Sequence, residues 1–128
     1  MAPPKTIKGY RLEPHCAFPG AQLSGARLSG VNLYGADLRN ANLADVNLSG
    51  AYLPEANLTG ANLTGAVMIG ANLKGAKLTR AFLMGADLTD ANLREADLSG
   101  ARMYGAVVRG AKLWKTRMPD LRLVSRDR

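Results

Sequence analysis

Aromatic side chains make up only 5% of this 128-residue chain, which has one cysteine, one histidine and a single tryptophan. Each scarcity excludes something. So few rings rule out a compact core built on Phe and Trp; the abundant Ala, Leu and Gly suit small identical layers stacked on one another. Cys16 by itself gives no intramolecular disulfide and no zinc cluster. No run approaches the roughly 18 apolar residues that span a bilayer. The first eight residues hold no apolar segment of signal-peptide length. The expectation is a single domain in the cytoplasm, with no membrane span.

Catalytic chemistry is equally poorly supplied. His15 and Cys16 form the one familiar pair, but neighbours on an extended segment point apart and no third group orients the histidine. Asp37 and Asp97 are too far apart along the chain's repeat to work as an acid/base pair. The glycines are spaced as turns and make no phosphate loop. No cofactor, no metal and no enzymatic activity are expected.

What the chain does have is a five-residue period, unbroken through nineteen units from Ala21 to Lys115. The third position of each unit is Leu, from Leu23 onward, with Met68, Met103 and Val108 as the variants. The first position is Ala except at Val31 and Val46. A large and a small apolar residue two apart face the same way on an extended segment, so each unit carries one short inward-facing strand. The fifth position is Gly in twelve of the nineteen units, as the third residue of a type II turn requires, and Pro54 suits that turn's second residue. The non-glycine corners (Asn40, Asp45, Glu55, Arg80, Asp90, Glu95 and Lys115) suggest a second turn type. Asn or Asp recurs at the second position, read as a structural group bonding nearby backbone and stacking between coils.

Ala36-Asp-Leu, Ala41-Asn-Leu, Ala56-Asn-Leu, Ala61-Asn-Leu, Ala86-Asp-Leu and Ala96-Asp-Leu follow the motif A-(D/N)-L-x-x. By these units the chain resembles the pentapeptide-repeat family over about three quarters of its length. The resemblance implies an all-β fold, a right-handed quadrilateral β-helix with four units per coil, about five coils in all. Five coils at the strand spacing make a rod on the order of 25 Å long. The division expected is an irregular N-terminal cap over 1–20, the β-helix over 21–120, and a C-terminal cap with basic tail over 121–128. Ile7, Tyr10, Leu12 and Phe18 would close the front. At the back, Trp114, Met118, Leu121, Leu123 and Val124 would cap the last coil or meet a second chain.

The net charge of +7 is concentrated toward the C-terminus. Residues 21–70 carry a balance of −1 and residues 71–115 one of +4. Two candidate surfaces follow. One is apolar: Phe82, Met84 and Tyr104 on one face, with Val67, Ile69 and Val107 on the next. The other is basic: Arg102, Arg109, Lys112, Lys115, Arg117 and Arg122, with Trp114 among them.

The leading reading is a non-catalytic scaffold that presents flat faces to a protein partner, either as a homo-oligomer joined through the C-terminal end or as part of an assembly. A second comes from the resemblance: some family members protect DNA gyrase from quinolones by imitating the shape and negative charge of DNA, which +7 disfavours. A third is binding of nucleic acid by the basic end.

Overall fold

The structure, a computed structural model, describes residues 3–120 and 124. From Ala17 to Arg117 the backbone climbs as a right-handed four-sided β-helix. The second position of each unit pairs in parallel with the residue twenty ahead, as in Asn42↔Asn62, Asn62↔Phe82 and Phe82↔Arg102. Four units therefore make one coil. The first face has Leu23, Leu43, Leu63, Leu83 and Met103 at its centres. The second has Leu28, Leu48, Met68, Leu88 and Val108. The third has Leu33, Leu53, Leu73, Leu93 and Leu113. The fourth has Phe18, Leu38, Leu58, Leu78, Leu98 and Met118.

One unit shows how the backbone is satisfied. Leu63 N–H donates to Phe82 O in the next coil (2.7 Å), Gly65 N–H to Met84 O (2.9 Å), and Asn62 N–H back to Ala41 O in the previous coil (2.9 Å). Ala66 N–H closes the corner on Leu63 O (3.0 Å). The fifth amide, Thr64 N–H, donates to Asn62 Oδ1 (3.0 Å). Every amide of the unit thus has an acceptor, which a buried-centre coil requires. All ten second-position Asn and Asp residues make this bond to the amide two residues on, from Asn32 to Asp97. The expected backbone role is therefore the one they fill, through a bond within their own unit.

The interior is a column of leucines with alanines in the corners, fully buried from Ala36 to Ala96. Burying each Leu side chain stabilises the coil by roughly 1.5–3 kcal/mol. At the C-terminal end the column opens: Leu88 is 1% exposed, whereas Val108, one coil further along the same face, is 37% exposed.

Two expectations need correction. Over the described residues 3–20 the N-terminal segment is not irregular throughout. β1 (Lys5–Ile7) and β2 (Tyr10–Leu12) form an antiparallel hairpin, with Ile7 opposite Tyr10. Lys8 and Gly9 both take left-handed φ, 52° and 86°, the pattern of a tight hairpin turn matched to strand twist. Coil corners then begin at Glu13, where Cys16 N–H reaches Glu13 O (3.1 Å) around His15 at φ 63°. That corner has Pro14 at the turn's second position but no glycine, so it does not stand out as a repeat. Leu12, fully buried, lies under the first coil, and Tyr10 packs edge-on against Phe18 at 5.1 Å.

Nor does a second turn class appear in φ. The seven non-glycine corners of the repeat hold φ of 56–64°, in the same left-handed region as the coil glycines at 64–75°. The corner geometry is set by the coil, and the residue conforms to it at some cost.

The C-terminal cap is formed in part by Val124. Its N–H donates to Thr116 O (3.0 Å) and its carbonyl accepts from Lys115 N–H (2.7 Å), covering the end of the third and fourth faces. Leu121, Arg122 and Leu123 lie outside the described residues.

Candidate contact surface

An outward second position normally holds the Asn or Asp that satisfies the unit's own backbone. Where the sequence gives that acceptor up, another demand competes with it. Apolar residues replace it at Tyr52, Val67, Phe82 and Val107. Three of these four lie on the first and second faces in the C-terminal half of the rod, where the apolar candidate surface was expected.

The structure brings some of those candidates together. On the first face, Phe82 and Met84 project from one unit and are partly buried. Tyr104 sits one coil above Met84 and is 90% exposed. Arg102 lies over the Phe82 ring, with its guanidinium carbon 5.4 Å from the centroid, a cation–π contact that covers one side of the ring. On the second face Val67 and Val107 are not neighbours. Asp87 stands between them in the pairing ladder, accepting from Thr89 N–H (3.0 Å) and Thr89 Oγ1 (2.5 Å). Those bonds hold the Asp87 carboxyl below its ordinary range. Ile69 and Val107 are each 42% exposed. The second-face group is therefore two apolar spots divided by a charge.

The basic candidates form a ring. Arg102 belongs to the first face, Arg109 to the second, Lys112, Trp114 and Lys115 to the third, and Arg117 to the fourth. Lys115 Nζ lies 4.5 Å from the Trp114 ring centroid. Arg122 lies outside the described residues.

A third aromatic group was missed. His15 meets Tyr34 edge-on at 5.4 Å, and Tyr34 stacks on Tyr52 at 6.1 Å. Both tyrosines are more than a third exposed. Folding a twenty-residue coil makes positions 34 and 52 diagonal neighbours on the third face, a signal already available in the repeat.

His15 and Cys16 do not converge. His15 occupies a corner, and burial pushes the half-buried Cys16 thiol above its ordinary value, which disfavours the thiolate. Among the described residues no group of three or more His, Cys, Asp and Glu could hold a metal ion. No helix there is long and apolar enough to cross a membrane.

The family model for pentapeptide repeats matches residues 15–45, 41–80 and 81–118, in eight copies. Among solved structures, a pentapeptide repeat protein from Nostoc Pcc 7120 is 32% identical, covering 73% of this chain and 84% of its own, with a TM-score of 0.64. A pentapeptide repeat protein from the cyanobacterium Cyanothece 51142 is 31% identical over 77% of this chain and 84% of its own, at a TM-score of 0.42. A trypsin-treated variant of QnrB1, a plasmid-mediated fluoroquinolone resistance protein, is 23% identical over 77% of this chain and 58% of its own, at a TM-score of 0.54. No curated protein matches the chain.

Proposed function

Because the chain belongs to the pentapeptide-repeat family, we propose that it is a non-catalytic scaffold whose rigid β-helix offers the Phe82–Met84–Tyr104 surface to a protein partner. The observation that carries this reading is Tyr104, a ring 90% exposed above a partly buried Met84, on the stretch of the first face where Phe82 and Arg102 replace the structural Asn kept at Asn42 and Asn62. Apolar groups exposed together on an otherwise polar surface mark contact sites, and tyrosine is favoured at them because it adds area at small entropic cost. Val107, 42% exposed, extends the surface around the corner, while Ile69 lies beyond Asp87 with Val67.

The test is affinity capture from native lysate after nuclease treatment, with wild-type protein beside Met84→Glu and Tyr104→Ala. The scaffold reading expects one protein enriched by wild type and lost with both variants. Enrichment that disappears with nuclease would move the function to the basic ring and nucleic acid.

The open C-terminal end supports a homo-oligomer as well. Met103 and Val108 occupy core positions yet are left partly exposed there, and a second copy could cover them. Sedimentation would show a dimer for wild type and a monomer for Val108→Asp. The likeness to QnrB1, at 23% identity, carries the fold alone. A gyrase-directed role by DNA mimicry is disfavoured for a chain of net charge +7, whose field would repel a basic DNA-binding saddle.

A further inference from the structure

Where the fourth face turns into the first, Asn40, Gly60, Arg80, Phe82, Gly100 and Arg102 line an open groove of about 520 Å³. We propose that this groove binds a phosphate dianion, free or as the phosphomonoester of a small organic molecule.

The two arginines enter it from different elements. Arg102 lies over the Phe82 ring at 5.4 Å. A guanidinium held over a ring by a cation–π contact still has N–H donors to offer an anion. Arg80 is a corner residue at φ 58°. Its stem crosses Gly100, with Cγ 3.2 Å from where a Cβ would stand, so glycine leaves the room in which that stem lies. Two planar forks that are partly preorganised suit an oxyanion that accepts in pairs. Asn40 adds a neutral amide.

The charge balance favours a dianion. None of the six lining residues is acidic. Among the described residues no carboxylate pairs with Arg80 or Arg102. Nearby acids are engaged elsewhere: Asp37 is held by Arg39 at 2.8 Å, Asp97 accepts from Ser99 N–H at 2.9 Å, and Asp120, next on the same corner, has its own partner. The groove is also larger than a single ion needs, leaving space for an attached group. The groove shares Phe82 with the partner surface, but its test needs no partner, so the two readings fail separately.

The test is a titration of the full chain with inorganic phosphate, with a 5′-mononucleotide and with the matching nucleoside. Arginine side-chain N–H resonances report binding, and sodium chloride holds ionic strength constant. Saturable shifts of the Arg80 and Arg102 signals are expected, with affinity falling about tenfold in each of Arg80→Gln and Arg102→Lys. Arg27→Gln, which removes one charge from the second face, should leave affinity unchanged. Binding of phosphate and nucleotide with equal strength would mark a free phosphate site; tighter binding of the nucleotide, with none of the nucleoside, would mark an organic phosphomonoester site. Shifts that never saturate, an equal loss in Arg27→Gln, or nucleoside binding that survives both groove variants would overturn the proposal. Both arginines are exposed, so melting curves of the variants should match wild type and keep the comparison valid.

Discussion

Asn40 folds its side chain over Gly60, one coil further along the same corner, and its Oδ1 occupies the space a Cβ on that glycine would need. The same pairing joins Asp45 to Gly65, Asp90 to Gly110, and His15 to Gly35 (Nδ1 at 2.6 Å). Along the Asn40 corner, residues with and without side chains alternate: Gly20, Asn40, Gly60, Arg80, Gly100. In these four pairs the corner side chain leans over the next coil and takes the space a Cβ there would need, whereas Glu95 is followed on its corner by Lys115.

Gly60→Ala should therefore be worse than Gly70→Ala. Both place a Cβ at left-handed φ, 70° and 67°, at a cost of about 1–2 kcal/mol. Only Gly60 also displaces a neighbour, since a Cβ on Gly70 meets nothing within 4 Å. Chemical denaturation of both variants, and of Gly60→Ala combined with Asn40→Gly, measures the excess. Equal losses at the two glycines, or no rescue in the double variant, would show that the corner contact is energetically idle.

Core truncation should depend on position along the rod. Leu63 is fully buried, so Leu63→Ala is expected to cost about 2–5 kcal/mol. Val108→Ala at the open end removes a side chain already 37% exposed and should cost under ~1 kcal/mol. Similar losses in urea melts would mean that the end is covered in solution, which would favour the homo-oligomer.

Thr116 stands where the repeat has Ala. It is fully buried, and its Oγ1 donates to Leu93 O at 2.6 Å. Thr116→Ala restores the repeat's own residue yet should destabilise by ~1 kcal/mol through the lost hydrogen bond. A gain in stability would show that the consensus residue outweighs that bond.

Asp37 supplies a pH dependence. Its hydrogen bond with Arg39 holds the carboxyl below its ordinary range. A folded-state value below the unfolded one gives stability that is whole above the unfolded value and lost as pH falls through the folded one. Wild type should exceed Asp37→Asn in melting temperature at pH 7, and the gap should close as pH drops below ~4. A gap that persists unchanged to pH ~2 would assign it to packing.

Tyr104→Ala tests whether the exposed ring is structural. At 90% exposure its removal should change stability by no more than ~0.5 kcal/mol, so any loss of partner capture would reflect the surface. A larger drop in the urea midpoint would place the ring in the fold.

The sequence alone settled the inward Leu and Ala columns, because a strand and a turn in five residues leave only one way to bury both. With the resemblance, it also supplied the twenty-residue coil. It could not reveal the hairpin at Lys5–Leu12 or the corner around His15, where no repeating residue marks the path and the coil above dictates the conformation. Tertiary stacking also decided which outward residues meet. It set Asp87 between Val67 and Val107, laid Arg102 on Phe82, and brought Tyr34 to Tyr52. A period fixes what faces in; contacts across coils depend on where each side chain leans, and that is determined by its neighbours twenty residues away.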